Sequence, residues 1–497
     1  MLPKMLYYQR PWAVRPRRKL GGAFMEKPDT EKHIETGTGN QLRYVVGSMQ
    51  GWRNEMEDTH VARIGLGTAE FAGWSFFAVC DGHAGRQVAD YTAQHLLNTI
   101  LACSEFHEAT TGTRTATEKN DLMHLVFAKS FLTLDLQMRR LPGVANGEER
   151  SGTTVISVLI GPDAVYFSNL GDSRGIAVSN GSLMVVTEDH KPYRAGEQKR
   201  ISSAGGHVSM QRINGNLAVS RALGDYDYKN RLDRGPFEQL VSPEPDLYPL
   251  PRRSEDEFIV LACDGVWDVM SSEEFYRLVR YQLTLSASLD HVCSTLIDIC
   301  LGRGSRDNIS ISIILFPGAP TPSDEIKLLD RQLDYSIERA VCEIVSACPN
   351  GTVMDGTSLT HLVGECLEDY KVKQPEGSGG AKNKRLMIEK LWQQMRPDKP
   401  LRPDSGEVST ATILKVLGNR TLSSRLNFKP LLRNRSGIAR DQRAKLTLPG
   451  VKISQDSLLK PEVDLRLTSP NGDERDRRKG DTSTDAIDRK GDRLMKK

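Results

Sequence analysis

Asp81, Asp264 and Asp307 stand at the ends of apolar runs: Asp81 after SFFAVC, Asp264 after FIVLAC, and Asp307 just before NISISIILF. Each run has the β-branched, apolar character of a core strand. A carboxylate at such a strand end is held rigidly. Three of them converging repel one another unless cations lie between them, which predicts a metal centre with all-oxygen ligands. Around these residues stand the motifs Gly51-Trp52-Arg53-Asn54-Glu55-Met56-Glu57-Asp58, Asp81-Gly82-His83-Ala84-Gly85, Gly171-Asp172-Ser173-Arg174-Gly175, Asp264-Gly265-Val266-Trp267-Asp268 and Ser305-Arg306-Asp307-Asn308. Taken singly each is weak: an exposed charged loop, an ordinary turn, a structural histidine. Gly82 and Gly85 allow close backbone approach around His83 and leave a carbonyl free to coordinate.

The elements that would position these residues form a dense pattern from Gly22 to about Pro317. TTVISVLI, AVYFSNL, GIAVS and LMVVT are short strands separated by Gly161-Pro162-Asp163, Gly171-Asp172 and Asn180-Gly181, the last a type I′ hairpin signal. Consecutive strands with tight turns predict an antiparallel sandwich. One amphipathic helix is expected to bury Leu122, Leu125, Val126, Leu132 and Leu136. Another starts at the capping-box spacing Ser271–Glu274 and presents Phe275, Leu278, Val279 and Leu283. The fold class is therefore α+β, an antiparallel β-sandwich flanked by helices (α-β-β-α). A small all-α unit follows, led by a helix over 323–347 with Ile326, Leu329, Leu333, Ile337, Val341 and Ile344 on one stripe.

The division expected is a basic extension over 1–21, a catalytic region over 22–317, a helical subdomain over 322–397 and a basic, largely disordered tail over 398–497. Charge follows this division. Residues 401–497 hold 22 Lys/Arg against 13 Asp/Glu, and residues 1–25 hold six basic residues and no acidic one. The net charge of +3 therefore conceals an acidic body. Such a body suits a protein that concentrates cations and argues against a specific nucleic-acid binder. Eight scattered cysteines without CxxC spacing argue for an intracellular chain, cytoplasmic or nuclear, without disulfides. No apolar stretch approaches the ~20 residues of a membrane span.

In order, GWRNEMED, VCDGHAG, SGTTV, NLGDSRG, DHKP, NGNLAVSRALGD, ACDGVWD and GSRDN closely resemble the metal-dependent serine/threonine protein phosphatases of type 2C, over roughly Gly22–Pro317. The helical extension resembles that of the alpha and beta members. The resemblance implies that Asp81 bridges two metal ions. It implies that the Gly82 carbonyl ligates one of them, and that Asp264 and Asp307 ligate the other. Glu57 and Asp58 are implied to reach the metals or hold their waters, and Asp172 and Asp268 to form a weaker third-metal position. By the same resemblance Arg53 grips phosphate and His83 is the general acid.

The chemistry suits these residue types. Oxygen donors favour Mg²⁺ or Mn²⁺ over zinc. Paired ions activate a water for attack on phosphorus. Arginine offers two phosphate oxygens a planar fork. The polar stretch Lys191–Asn230 resembles a flap, in which Arg212 either contacts phosphopeptide or is a solvated hairpin charge. The expected activity is hydrolysis of phosphoserine and phosphothreonine in protein substrates by a monomer. A catalytically dead adaptor would have lost one of Asp81, Asp264, Asp307 or Arg53, and all four are present.

Overall fold

The computed structural model describes residues 24–67, 71–111, 113–348 and 353–402. The extension expected over 1–21 and the tail from 403 onward lie outside the described residues. Among the described residues fourteen strands run in chain order: β1 (Phe24–Gly39), β2 (Leu42–Arg53), β3 (Thr59–Ile64), β4 (Ser75–His83), β5 (Gly152–Ile160), β6 (Ala164–Leu170), β7 (Arg174–Ser179), β8 (Ser182–Val186), β9 (Val208–Ser209), β10 (Arg212–Ile213), β11 (Leu223–Gly224), β12 (Asp246–Pro251), β13 (Asp256–Ala262) and β14 (Ile309–Leu315). They form one sheet in the order β1-β2-β14-β13-β7-β8, a second in the order β12-β6-β5-β4-β3 with β11 added to β5, and the small hairpin β9–β10. The named pairings are antiparallel throughout.

Strand alternation builds the layers. Along β13, Ile259 and Leu261 enter the core between the two sheets with Phe77, Val79, Ile156 and Phe167. Phe258, Val260 and Ala262 face the opposite way, onto the helices Ser272–Leu285 and Leu289–Gly302. Phe76, Ala78 and Cys80 of β4 likewise meet the helices Gln87–Leu101 and Ala116–Met138. The architecture is the α-β-β-α sandwich expected. Strands buried on both faces read as continuous apolar runs, which is why the sequence exposed them so clearly.

Two expectations need adjustment. The Ala116–Met138 helix buries Met123, Val126, Phe127, Phe131, Leu134 and Met138, whereas Leu125 and Leu136 are 48% and 44% exposed. Aromatic and methionine side chains share the core face with Val126 and Leu134, Leu122 packs at its edge, and of the expected stripe Leu125 and Leu136 turn outward. Second, β4 does not end at Asp81 but continues to His83, with Asp81, Gly82 and His83 paired to Thr154, Thr153 and Gly152 of β5. β9 and β10 turn through Met210-Gln211, both at positive φ, and Asn214-Gly215 makes a second reversal that bridges Ile213 to Leu217. The Asn180-Gly181 turn has positive φ at both positions, as type I′ requires. The Ser271–Glu274 capping box is formed.

The helices Asp324–Ala347, Gly356–Asp369 and Arg385–Met395 pack around their own core of Leu333, Ile337, Val341, Ile344, Leu362, Ile388 and Trp392.

Candidate metal and phosphate site

Two sheets deliver the acidic residues to one place. Asp81 comes from β4 in one sheet; Asp264 follows β13 and Asp307 precedes β14 in the other. Asp58 lies just before β3 and is buried, accepting from the Ser310 hydroxyl at 2.6 Å. Asn308 ties the strands together: its amide donates to the Gln50 and Glu55 carbonyls at 2.8 and 3.1 Å, and its oxygen accepts from the Glu57 amide at 2.8 Å. Two glycines make this crossing possible. A Cβ on Gly82 would lie 2.4 Å from the Glu57 carbonyl, and one on Gly51, at φ +66°, would lie 2.6 Å from that of Asp307.

The electrostatics record the crowding. Burial pushes the Asp81 carboxyl well above the ordinary aspartate range, and Asp58, Asp264, Asp307 and Asp172 add to the shift. Asp264 is raised well above it by burial and then by Asp172, Asp307 and Asp268, against the opposing pull of Lys191. Burial is also the largest cause for Asp58, pushed up to about 6, and for Asp268. A buried carboxyl that resists ionisation has no adequate counter-charge. Among the described residues, Asp58, Asp81 and Asp264 form no ion pair.

These carboxylates fit a divalent ion. Ligand atoms of Asp58, Asp81 and Cys263 lie within 4.8 Å of one another. The Cys263 thiol accepts from the Ser310 amide at 3.2 Å, lies 3.4 Å from the Asn308 carbonyl, and is held protonated by burial. The donor set is thus oxygen, which suits hard cations.

Two cations of the chain stand inside the group. Arg53 grips Asp307 with two parallel bonds, Nε to Oδ1 and Nη2 to Oδ2, both 2.8 Å. Lys191 donates to Asp172 Oδ2 at 2.5 Å. Glu57 sits close enough to raise Arg53 electrostatically. His83 stands at the edge, 27% exposed, with Nε2 2.7 Å from Asp225 Oδ2. Burial works against the imidazolium, but Asp225 outweighs it and raises the ring above the usual histidine range. Arg212 is exposed and donates to the Asn216 carbonyl at 2.7 Å, a contact within its own hairpin rather than with the acidic group.

Asp225 is the residue that sequence reading passed over, although it closes the NGNLAVSRALGD motif. It sits at φ +53°, which Asp tolerates better than most residues. A Cβ on Gly152 would collide with both Asp225 Oδ2 (2.3 Å) and His83 Nε2 (2.5 Å). The segment around it is anchored from below. Buried Asp135 accepts from Lys229 Nζ at 2.8 Å and from the Gly224 amide at 2.9 Å. Lys229→Met leaves the Asp135 carboxylate buried without its cation. That change is expected to cost about 3–5 kcal/mol, read as a lowered urea midpoint at unchanged m-value.

Comparison with known proteins shows the family. Residues 42–309 match the family model for protein phosphatase 2C, and residues 310–393 match that for the protein serine/threonine phosphatase 2C C-terminal domain. The chain belongs to the protein phosphatase 2C family. It is 43% identical to human protein phosphatase 1B over 415 residues, 83% of this chain and 86% of that one. It is 44% identical to bovine protein phosphatase 1A over 379 residues, 76% of this chain and 96% of that one. Among solved structures it is similar to a phosphatase from a pathogenic strain of Toxoplasma gondii (26% identity, TM-score 0.48, 57% of this chain and 96% of that one). The protein 2C-type chain is accordingly a protein-serine/threonine phosphatase. No helix among the described residues is long and apolar enough to cross a membrane.

Proposed function

We propose that this 2C-type phosphatase hydrolyses phosphoserine and phosphothreonine in intracellular proteins as a monomer, cytoplasmic or nuclear, with Mg²⁺ or Mn²⁺ held by Asp81, Asp58, Asp264, Asp307 and the Gly82 carbonyl. One observation carries the reading. The carboxylates of Asp58, Asp81 and Asp264 crowd one another, resist ionisation and form no ion pair among the described residues, so divalent cations are the partners that would relieve them. Bound there, such ions supply an activated water and neutralise charge on phosphorus.

The chain's own residues do the rest. Arg53 presents a planar fork within the acidic group that Asp307 now occupies, and phosphate oxygens match the same fork once the Asp307 carboxylate turns to a cation. His83, with its proton stabilised by Asp225, protonates the departing seryl or threonyl oxygen. Glu57 lines the approach beside Gly82, while Asp172 and Asp268 form the outer, weaker cation position. Arg212 offers a charge on the β9–β10 hairpin for residues flanking the phosphate.

EDTA should remove turnover of a phosphothreonine peptide, and Mn²⁺ or Mg²⁺ should restore it. Turnover that persists at full rate after exhaustive chelation would end the metal reading. Arg53→Ala is expected to raise KM for phosphopeptide about tenfold or more with a smaller change in kcat, since the fork serves ground and transition states alike. Steady-state kinetics with both constants unchanged would remove Arg53 from the site.

A further inference from the structure

The DHKP segment meets the turn that carries Asp172 residue by residue. Asp189 accepts two bonds from Arg174, at 2.9 and 2.8 Å. His190 Nδ1 accepts from the Gly171 amide at 3.0 Å, and its own amide donates to the Gly171 carbonyl at 2.8 Å. Asp246, 3.1 Å from Nε2, fixes the other side of that ring. With Asp189 and His190 fastened on either side of Asp172, Lys191 delivers its ammonium to Asp172 Oδ2 at 2.5 Å. Asp172 is 4% exposed. The Lys191 side chain is 22% exposed, so its stem has a route to solvent. Burial opposes the ammonium, but Asp172, Asp264 and Asp268 more than restore its charge.

We propose that Lys191 is a tethered counter-cation for the outer carboxylates Asp172 and Asp268, and that a divalent ion takes this position only by displacing it. The inference rests on the reading of the inner carboxylates as a metal centre and goes beyond it. Asp58, Asp81 and Asp264 form no ion pair among the described residues, so an ion entering among them relieves repulsion without breaking a contact. An ion entering at Asp172 must first break a short charge-assisted bond. Its apparent affinity is therefore reduced by the fraction of molecules in which Lys191 has swung away. The lysine stem is flexible and its ammonium is a single point charge, which suits reversible exchange. The outer position is thereby neutralised at low metal and becomes responsive to free Mg²⁺ or Mn²⁺ at higher concentration.

The test is direct binding of Mn²⁺ and Mg²⁺ to the full chain by calorimetry, with wild type, Lys191→Met and Lys191→Arg. Lys191→Met should tighten the weakest site about tenfold or more and leave the tighter constants within about twofold, whereas Lys191→Arg should stay near wild type. In parallel, labelling of wild-type Lys191 by an amine-reactive reagent should rise as Mg²⁺ fills the weak site, while labelling of exposed Lys390 stays level. This second measurement stands even where Lys191→Met folds poorly. Wild type that takes up no ion overturns the metal reading and this inference with it. Wild type that binds ions, with the weakest constant unmoved in Lys191→Met or with labelling indifferent to Mg²⁺, overturns this inference alone.

Discussion

Asp264→Asn is expected to lower phosphopeptide turnover by on the order of 10³-fold or more at ordinary Mg²⁺, because a lost ligand forfeits several kcal/mol of charge stabilisation on phosphorus. The same substitution should raise the melting temperature in EDTA. Asp264 is buried against Asp172, Asp307 and Asp268, and an amide removes that repulsion without changing shape. Loss of activity with a gain in chelated stability separates a metal ligand from a residue that merely supports the fold. A mutant with full turnover, or one that melts earlier in EDTA, would remove Asp264 from the centre.

A pH effect follows from the same crowding. Asp58 is pushed up to about 6 from 3.8, so between roughly pH 4 and 6 the folded, chelated chain binds more protons than the unfolded one. Stability in EDTA should therefore rise as pH falls from 7.5 toward 5.5. Carboxylates held low by arginine or histidine partners, such as Glu197 and Asp246 at about 2, oppose this only at more acid pH. Saturating Mg²⁺ should flatten the dependence by supplying the counter-charge that protons otherwise provide.

What the sequence made legible was set by burial. β4, β13 and β14 are covered on both faces, so their apolar runs stood out and the aspartates beside them could be placed in advance. β1 is a long edge strand of charged and polar residues, and no hydrophobic alternation marked it. The Ala116–Met138 helix misled because Leu125 and Leu136 lie on its exposed side while Met123, Phe127, Phe131 and Met138 fill much of the core side. Within the site, residues that act alone were visible as types. Those that act in pairs were not: Arg53 with Asp307 spans 254 positions, and His83 with Asp225 spans 142. Asn308 was visible only as the last residue of the Ser305–Asn308 motif, yet it is buried and pins the Gln50–Glu57 loop. Such pairings depend on which strand ends the topology makes adjacent, and no local pattern encodes that.

The His83–Asp225 pair gives the sharpest kinetic expectation. A seryl or threonyl alkoxide is strongly basic and leaves poorly without a proton, whereas p-nitrophenolate is stable on its own. If His83 supplies that proton, His83→Ala should lose about 10²–10⁴-fold in kcat on phosphoserine peptides and far less on p-nitrophenyl phosphate. Asp225→Asn should show the same leaving-group signature at smaller amplitude, because the amide still meets the ring but no longer favours its charged form. A structural role predicts something different. His83 closes the strand that carries Asp81, and loosening that strand would weaken metal binding and depress both substrates together. Metal affinity measured beside the two rates therefore separates the cases. Equal losses on peptide and aryl phosphate, with weakened Mn²⁺ binding, would defeat the general-acid assignment and leave His83 and Asp225 as a strut beneath the site.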